Sequence, residues 1–260
     1  MSKPTPQPAA AHRFSGAAAN YDHHARVQRH AAQHLCNWLG QVLPANFEPN
    51  ACIDVGSGTG FVTEFLLNTY TSCPVHAIDV APGMLAELQR KFPTGRLRTH
   101  VINGEELAVE HLWAPNHSLL MSGMCAQWFL NLEEAIRRWL SVSNTLAFSV
   151  LLDGSFQAWH TAHEETGQRC GLRQLPRATT LLEILDKLTT EGLVANTAHH
   201  SKEFLDHHPN GLSFARSLRA IGADLPRPNH EPVKLWRVIH ALGDVCTMNY
   251  HIGFYYLERA

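Results

Sequence analysis

The stretch 54–60 has the residue types and spacing to hold a small charged ligand, because it reads Asp-x-Gly-x-Gly-x-Gly. Ile53 and Val55 alternate along a short buried strand, and helical periodicity begins at Phe61. Glycines let a backbone turn sharply and approach a ligand closely, and free N–H groups at a helix start favour an anionic group. The pattern therefore predicts a strand, a loop and a helix, with a nucleotide-like ligand on the loop.

A second acid, Asp79, ends the next apolar run and is placed to accept hydrogen bonds from two ribose hydroxyls. Asp54 can anchor the loop or pair with a cationic amino group of the ligand. A dinucleotide fingerprint would read Gly-x-Gly-x-x-Gly and would lack the acid ahead of the glycines. The two stretches resemble motif I and the ribose acid of class I S-adenosylmethionine-dependent methyltransferases. A Rossmann-like turn that binds a dinucleotide, or binds nothing, stays open as an alternative.

The resemblance implies S-adenosylmethionine as the methyl donor and S-adenosylhomocysteine as the product. Relatives usually carry Asp where this chain has Asn103, to accept a hydrogen bond from the adenine amino group; the amide oxygen of Asn103 can accept the same bond. Met84 can flank the adenine ring or belong to the core. The residues that the resemblance assigns to donor binding are Tyr21, Asp54, Gly56, Ser57, Gly58, Asp79, Val80, Met84, Asn103 and Gly104.

Three further stretches narrow the resemblance to the BioC family, the malonyl-acyl-carrier-protein O-methyltransferases of biotin synthesis. Residues 14–22, Phe-Ser-Gly-Ala-Ala-Ala-Asn-Tyr-Asp, resemble the opening of that family, whose tyrosine reaches into the donor site. Gln127 and Trp128 match its Gln-Trp stretch, although Gly123 stands where the family has an Asn-like residue. Residues 211–223 resemble its Ser-Leu-Arg/Lys-x-Ile-Gly-Ala motif.

This narrower resemblance implies an enzyme that methylates the free carboxylate of malonyl-acyl carrier protein, giving the ester that primes pimeloyl synthesis for biotin. A carboxylate with a pKa of about 4 is already ionised at neutral pH, so no general base is needed. The protein must align the reacting atoms and exclude water. Tyr21, Gln127 and Trp128 are the predicted catalytic residues. We expect the neutral hydroxyl of Tyr21 to orient the carboxylate, because a tight arginine pair would reduce its nucleophilicity.

Two other functions stay open from the sequence. A methyltransferase of the same fold can act on another small acid or on a carbon nucleophile, and malonyl-CoA is an alternative to the carrier-bound substrate. A non-catalytic binding module is the alternative of a different class, because Asn103 and Gly123 depart from the family pattern.

Basic side chains are the candidates for contacts with the carrier protein, which is small and acidic. The residues predicted to bind the substrate or the carrier are Arg216, Arg219, Tyr250 and His251. Arginines gather in two groups, with Arg169, Arg173 and Arg177 in the first and Arg216, Arg219 and Arg227 in the second. The alternative for each of these arginines is a solvated surface side chain.

The composition predicts a globular chain, since 45% of its 260 residues are hydrophobic and 17% are charged. No apolar run approaches the roughly 18 residues of a membrane span, and a net charge of −2 argues against a nucleic-acid groove. The six cysteines form no Cys-x-x-Cys pair and neighbouring histidines point to different faces, so no metal site is predicted. Residues 1–11 lack the apolar block of a signal peptide, and we expect a disordered lead-in to a cytoplasmic protein.

The elements that must position these residues predict an α/β fold. The resemblance implies a Rossmann-like class I methyltransferase, with a seven-stranded, mostly parallel sheet and helices on both faces. Residues 12–260 then form a single S-adenosylmethionine-dependent methyltransferase domain. Insertions around 155–195 and 207–242 are expected, from family precedent, to build a small helical cap over the active site.

Overall fold

The computed structural model describes residues 7–108 and 118–260. Its strands are β1 (Ala51–Val55), β2 (Val75–Asp79), β3 (Leu97–Val101), β4 (Ser118–Gly123), β5 (Thr145–Leu151), β6 (Val194–His208) and β7 (Cys246–Arg259). Its helices are α1 (Gln7–Ala17), α2 (Tyr21–His24), α3 (Arg26–Val42), α4 (Phe61–Thr69), α5 (Pro82–Lys91), α6 (Leu132–Val142), α7 (Gln157–Glu165), α8 (Ala178–Thr190), α9 (Gly211–Ala220) and α10 (Leu235–Ala241). None of these helices combines the length and the apolarity that crossing a membrane requires.

The strands form one sheet in the order β3-β2-β1-β4-β5-β7-β6. β1 pairs in parallel with β2 and β4, β2 with β3, and β4 with β5, whereas β7 runs antiparallel to both β5 and β6. The prediction of a seven-stranded, mostly parallel sheet is thus confirmed. The strand order reverses between β1 and β4, and α/β sheets bind ligands beyond the carboxyl ends of the strands at such a point.

β1 is covered on both faces. Ile53 and Val55 belong to a core cluster that includes side chains of α6 and α8, whereas Cys52 belongs to a cluster that includes α3 and α4. This alternation is what a strand inside a doubly covered parallel sheet requires. On α6, Ile136 and Trp139 are fully buried against the sheet at helical spacing. The predicted helices on both faces are therefore present, and they fix the end of β1 where the glycine loop begins.

α8 lies in the helical layer that packs on the sheet. Leu181 and Leu188 are buried in the same cluster as α6 and β5. Within the insertion predicted over residues 155–195, α8 is therefore not part of a cap, because a helical apolar period does not say which surface the helix covers. The irregular segment 166–177 and the region 218–228, which lie within the two predicted insertions, do line a cavity.

α1 begins at Gln7, earlier in the chain than the sequence suggested. The disordered lead-in predicted over residues 1–11 is therefore wrong for residues 7–11, and residues 1–6 lie outside the described residues. Pro8 stands in the first turn, where a helix tolerates proline. The alanines that follow it are strong helix formers.

Candidate functional site

A narrow cavity lies beyond the carboxyl ends of β1, β2 and β4, where the glycine loop meets α1 and α2, and we call it the donor cavity. Eight of the residues predicted to bind the donor line it, namely Tyr21, Gly56, Gly58, Asp79, Val80, Met84, Asn103 and Gly104. Its other walls are Ala10, Phe14, Gly123, Met124, Cys125, Trp128, Phe129 and Arg173. Asp54 and Ser57, which were also predicted, are buried and do not line it.

The glycine loop has a backbone conformation that favours glycine, and two of its N–H groups are hydrogen-bonded within the protein. Gly56 and Gly58 have positive φ angles of 69° and 53°, which favour glycine. A Cβ on Gly56 would collide with the sulfur of Cys125. The N–H groups of Gly56 and Ser57 donate to the Ile78 carbonyl at 2.8 and 3.0 Å. These two N–H groups are therefore not free to hold an anion, whereas the expectation for the N–H groups at the start of α4 stays a prediction.

Asp79 is held at the end of β2 by two backbone groups. The Gly58 N–H donates to Oδ2 and the Ala81 N–H donates to Oδ1, each at 2.8 Å. Burial raises the pKa of Asp79, and these hydrogen bonds oppose the shift. Each carboxylate oxygen keeps a further lone pair, so both oxygens can accept from ribose hydroxyls. This arrangement fits the ribose-binding role, which stays a prediction.

Asp54 is fully buried at the end of β1. The Thr63 hydroxyl, in the first turn of α4, donates to its Oδ2 at 2.6 Å, whereas Oδ1 has no hydrogen-bond partner. Burial raises the pKa of Asp54 to about 7, and the Asp79 carboxylate adds to the shift. Asp54 thus ties β1 to α4, in line with the predicted anchoring role. Pairing with a ligand amino group stays a prediction, since Asp54 does not line the donor cavity.

Asn103 has a free amide nitrogen, whereas the amide oxygen was expected to be free for the ligand. Its Oδ1 accepts a hydrogen bond from the Glu105 N–H at 3.0 Å, at the start of a short 3-10 turn. Its Nδ2 is buried without a hydrogen-bond partner, and the residue lines the donor cavity. An unpaired buried donor costs about 1–3 kcal/mol, so an acceptor on the ligand would relieve that cost. Asn103 is set to donate, whereas the sequence analysis gave it an accepting role.

The donor cavity fits S-adenosylmethionine in its chemistry. The unpaired Nδ2 of Asn103 suits a ring nitrogen of adenine, and the Asp79 carboxylate suits ribose hydroxyls. Met84, which is 1% exposed, supplies an apolar wall. A Cβ on Gly104 would collide with Val55, so glycine lets this part of the cavity wall pack closely against β1.

Tyr21 stands at the border between the donor cavity and a larger second cavity. Its neighbour Asp22 accepts from the Thr59 hydroxyl and from the Lys91 ammonium, which fixes α2 against the glycine loop and α5. Burial, followed by the carboxylates of Asp79 and Asp22, raises the pKa of Tyr21. The Tyr21 hydroxyl therefore stays protonated at neutral pH and is a neutral donor at this border.

The second cavity, which we call the acceptor cavity, has a volume of about 880 Å³. Six residues line both cavities and form a shared wall, namely Phe14, Tyr21, Met124, Trp128, Phe129 and Arg173. Apolar side chains provide most of the remaining lining, among them Leu151, Phe156, Leu172, Leu175, Leu218, Ile221 and Leu225. The two cavities therefore adjoin at these six side chains.

Arg173 is a half-buried cation of the shared wall. Its guanidinium lies 5.5 Å from the centre of the Trp128 ring, and Phe14 packs edge-on against the same ring at 5.4 Å. Burial lowers the pKa of Arg173, but a guanidinium stays charged at neutral pH. Within the described residues it forms no ion pair. From the sequence, Arg173 was predicted only as one of a basic group that contacts the carrier. Its apolar neighbours Leu172 and Leu175 were the available signal for a position between the cavities.

Gln127 and Trp128 occupy different places. Trp128 lines both cavities, whereas Gln127 lines the acceptor cavity and is not a wall of the donor cavity. The Gln127 Nε2 donates to the Met124 carbonyl at 2.6 Å, and Met124 has a positive φ of 54°. Gln127 thus supports the strained turn after β4. Trp128, which was also predicted to be catalytic, lies at the border between the two cavities.

The residues predicted to bind the substrate or the carrier are spread over the molecule. Tyr250 is buried and lines the acceptor cavity, and burial raises its pKa. His251 does not line either cavity, and its Nδ1 lies 3.1 Å from the Asp153 carbonyl oxygen. Arg216 and Arg219 are exposed on α9 and also line neither cavity. The structure thus brings one of the four, Tyr250, to the candidate site.

The family model and the relatives that this chain resembles agree with the methyltransferase class. A family model described as a methyltransferase domain matches residues 52–144. The chain is 32% identical over 234 residues to the biotin biosynthesis bifunctional protein BioCD of Bordetella avium, covering 88% of this chain and 46% of that protein. It is 30% identical over 257 residues to the malonyl-[acyl-carrier protein] O-methyltransferase of Magnetococcus marinus, covering 92% of this chain and 89% of that protein. The chain therefore spans about half of the bifunctional relative and most of the second one.

Solved structures agree on the fold. The YcgJ protein from Bacillus subtilis superposes with a TM-score of 0.59 at 10% identity, covering 88% of this chain and 99% of that one. The plantazolicin methyltransferase BpumL, solved in complex with SAH, gives a TM-score of 0.54 at 12% identity, covering 98% and 96%. At these identities the similarity concerns the fold.

A sheet of this strand order, with a glycine loop and a following acid beside a narrow cavity, defines a methyltransferase of the Rossmann-like class I fold that uses S-adenosylmethionine. The dinucleotide alternative is thereby set aside. From its similarity to the Magnetococcus protein along most of both chains, the chain belongs to the malonyl-[acyl-carrier protein] O-methyltransferase family.

Proposed function

We propose that the protein transfers a methyl group from S-adenosylmethionine to the free carboxylate of a malonyl thioester on acyl carrier protein. The product would be the methyl ester that primes pimeloyl synthesis for biotin. The observation that carries the proposal is Arg173, an unpaired and half-buried guanidinium in the wall between the two cavities. A cation in this position attracts an anionic acceptor to the place where methyl transfer must occur.

The side chains of the shared wall position a carboxylate that is already ionised at neutral pH, so no base has to remove a proton. Bound S-adenosylmethionine supplies a methyl group on a positively charged sulfur. Arg173 attracts the carboxylate, and the Tyr21 hydroxyl donates a hydrogen bond to one of its oxygens. The other oxygen is then left with less stabilisation and keeps its nucleophilicity.

The environment of Arg173 moderates the pairing that the sequence analysis considered too tight. Its guanidinium stacks over Trp128 and is shared between the ring and the carboxylate. Phe14, Met124 and Phe129 complete an apolar wall that keeps water away from the anion. Exclusion of water replaces the hydration shell of the nucleophile with fixed protein groups.

The size of the acceptor cavity supports a substrate larger than a free diacid. Its volume of about 880 Å³ leaves room beside a malonyl group for the arm that carries the thioester. Malonyl-CoA has an arm of the same chemistry and is the alternative substrate. The six free cysteines and the net charge of −2 support a cytoplasmic protein without a nucleic-acid partner.

The test uses purified protein with labelled S-adenosylmethionine, and malonyl-acyl carrier protein and malonyl-CoA in parallel, scored as base-labile methyl ester. We expect ester on the carrier-bound substrate. Donor binding without ester on either substrate would contradict the proposal. A base-stable methylated product would instead favour a carbon nucleophile, and equal kcat/KM for both thioesters would favour a broader acid methyltransferase.

A further inference from the structure

One face of the protein presents large apolar side chains to solvent. Trp236 is 65% exposed and Leu235 is 38% exposed, and both lie in the first turn of α10. Val238 is the buried residue of this helix. Contiguous exposed apolar surface rimmed by polar residues is typical of interaction sites. α10 therefore offers its outer face to a partner.

Cations flank the apolar pair along the chain and line a neighbouring groove. Arg169, Lys234 and Arg237 line a shallow groove of about 290 Å³, to which Glu231 contributes the one acid among the lining residues. None of the three cations forms an ion pair within the described ranges. The Arg237 guanidinium lies 5.5 Å from the centre of the Trp236 ring. The groove thus has a net positive charge beside an apolar surface.

The chain segment 168–173 runs from this face to the acceptor cavity, since Gln168 and Arg169 line the groove and Cys170, Leu172 and Arg173 line the cavity. The Lys234 N–H donates to the Gln168 Oε1 at 2.9 Å, and the Arg227 N–H donates to the Gly171 carbonyl at 2.8 Å. Cys170 and the exposed Arg227 line the acceptor cavity. A protein seated on α10 therefore stands beside the cavity that a tethered acyl group must enter.

We propose that Arg169, Lys234, Trp236 and Arg237 form the docking surface for the acidic carrier protein, and we call it the α10 surface. The inference rests on the proposed function and adds the place where the partner binds. An acidic protein complements the unpaired cations, and an apolar residue on that protein complements Trp236. The α10 surface replaces the exposed arginines of α9, which the sequence analysis assigned to the carrier.

The test is the binding of purified holo-acyl carrier protein, without an acyl group, to the double variant Lys234→Glu/Arg237→Glu. We expect the Kd to rise roughly tenfold or more, because two attractive contacts become repulsive. The matched variant Arg216→Glu/Arg219→Glu makes the same change of charge on α9, and we expect it to change the Kd by roughly twofold or less, since these exposed arginines lie outside the groove and are screened by salt. Methylation of malonyl-N-acetylcysteamine, which has no carrier, should have an unchanged kcat/KM in the α10 variant.

Each other outcome is decisive. Equal losses in the two double variants would overturn the placement, because net charge alone would explain them. Unchanged carrier binding in the α10 variant would also overturn it, and lost binding to phosphatidylglycerol vesicles in that case would identify a membrane surface. Absence of ester on every malonyl substrate would count against the proposed function, while the binding comparison would still decide the docking surface.

Discussion

Arg173 and Arg177 belong to the same short segment, yet they have different surroundings. The Arg177 side chain is 71% exposed and lies 3.9 Å from an Asp153 carboxylate oxygen, a pair of a kind that contributes little in water. Arg173 is half-buried, stacked on Trp128 and unpaired among the described residues. Sequence spacing treats the two arginines alike, because it does not record which one faces a cavity.

We expect Arg173→Gln to reduce kcat/KM for the malonyl substrate by roughly tenfold to a hundredfold, the range of a charge-assisted hydrogen bond. The affinity for S-adenosylhomocysteine, measured by calorimetry, should change little, because the lost charge acts on the acceptor. Arg177→Gln is the matched control and should retain kcat/KM. A similar loss in both variants would contradict the role given to Arg173.

Asn103 allows a prediction about the recognition of the purine ring. Its free Nδ2 can donate to an acceptor of adenine or to the 6-oxo group of hypoxanthine, whereas an Asp side chain can only accept. We expect Asn103→Asp to raise the preference for S-adenosylhomocysteine over S-inosylhomocysteine by roughly tenfold, as measured by calorimetry. Asn131, whose Oδ1 also accepts from a backbone N–H but lies away from the donor cavity, provides the control Asn131→Asp. An unchanged preference in Asn103→Asp would show that Nδ2 does not contact the ring.

The lining of the donor cavity was largely predictable from the sequence. Whether the Asn103 amide donates a hydrogen bond to the ligand or accepts one was not predictable. Gly56, Gly58 and Asp79 follow from the loop geometry that their spacing imposes. The orientation of the Asn103 amide depends on the Glu105 N–H in a turn, and no spacing rule records that contact.

At the scale of elements, α1 and α2 close the donor cavity because they are attached to α5. The Gly83 N–H donates to Ser15 Oγ at 3.1 Å, and Lys91 pairs with Asp22 at 2.7 Å. Arg13 of α1 also lies 3.6 Å from a carboxylate oxygen of Asp224. α5 therefore positions the two short helices that carry Phe14 and Tyr21 into the shared wall.

We expect Gly83→Ala to loosen this attachment, because a Cβ there would lie 2.8 Å from the backbone of Ser15. Alanine normally stabilises a helix relative to glycine, so the expected loss opposes the intrinsic preference. Cleavage within α1 by limited proteolysis should become faster, and the affinity for S-adenosylhomocysteine should fall roughly tenfold. Gly95→Ala, where a Cβ meets nothing within 4 Å, is the control. Unchanged cleavage and affinity would show that α1 does not close the cavity.

Periodicity predicted some elements well and others poorly. β1, the glycine loop and α4 follow directly from an alternating run, glycines and a helical run. α8 was predicted as part of a cap although it packs on the sheet, because its apolar stripe fits either surface. α1 was missed because residues 1–11 lack an apolar block and were expected to be disordered, while the alanines after Pro8 favour a helix.

The free energy of unfolding is a property of the whole molecule, and Asp54 links it to pH. The pKa of Asp54 is raised from 3.8 to about 7, so the folded protein favours the protonated acid. The contribution of Asp54 to stability is fully present at a pH below its pKa in the unfolded chain. That contribution is lost as the pH rises through about 7, the pKa of Asp54 in the folded protein. Asn at this position resembles the protonated acid and lacks that dependence.

We therefore expect the stability of Asp54→Asn relative to the natural protein to increase between pH 4 and pH 7, by as much as about 4 kcal/mol. Urea unfolding across this range measures the difference. Asp186→Asn, at an exposed acid on α8, serves as the control. Parallel pH profiles of the Asp54 variant and the natural protein would contradict the raised pKa.

The position of β7 has a consequence for how the chain folds during synthesis. β7 follows β6 in sequence but lies between β5 and β6, and it carries Tyr250 into the acceptor cavity. Until β7 leaves the ribosome, the β5 edge stays unpaired and β6 has no neighbouring strand in this sheet. Open strand edges promote aggregation, and pairing over long sequence separation is slow. A nascent chain that has already formed its donor cavity must therefore wait for its last strand before it can accept a substrate.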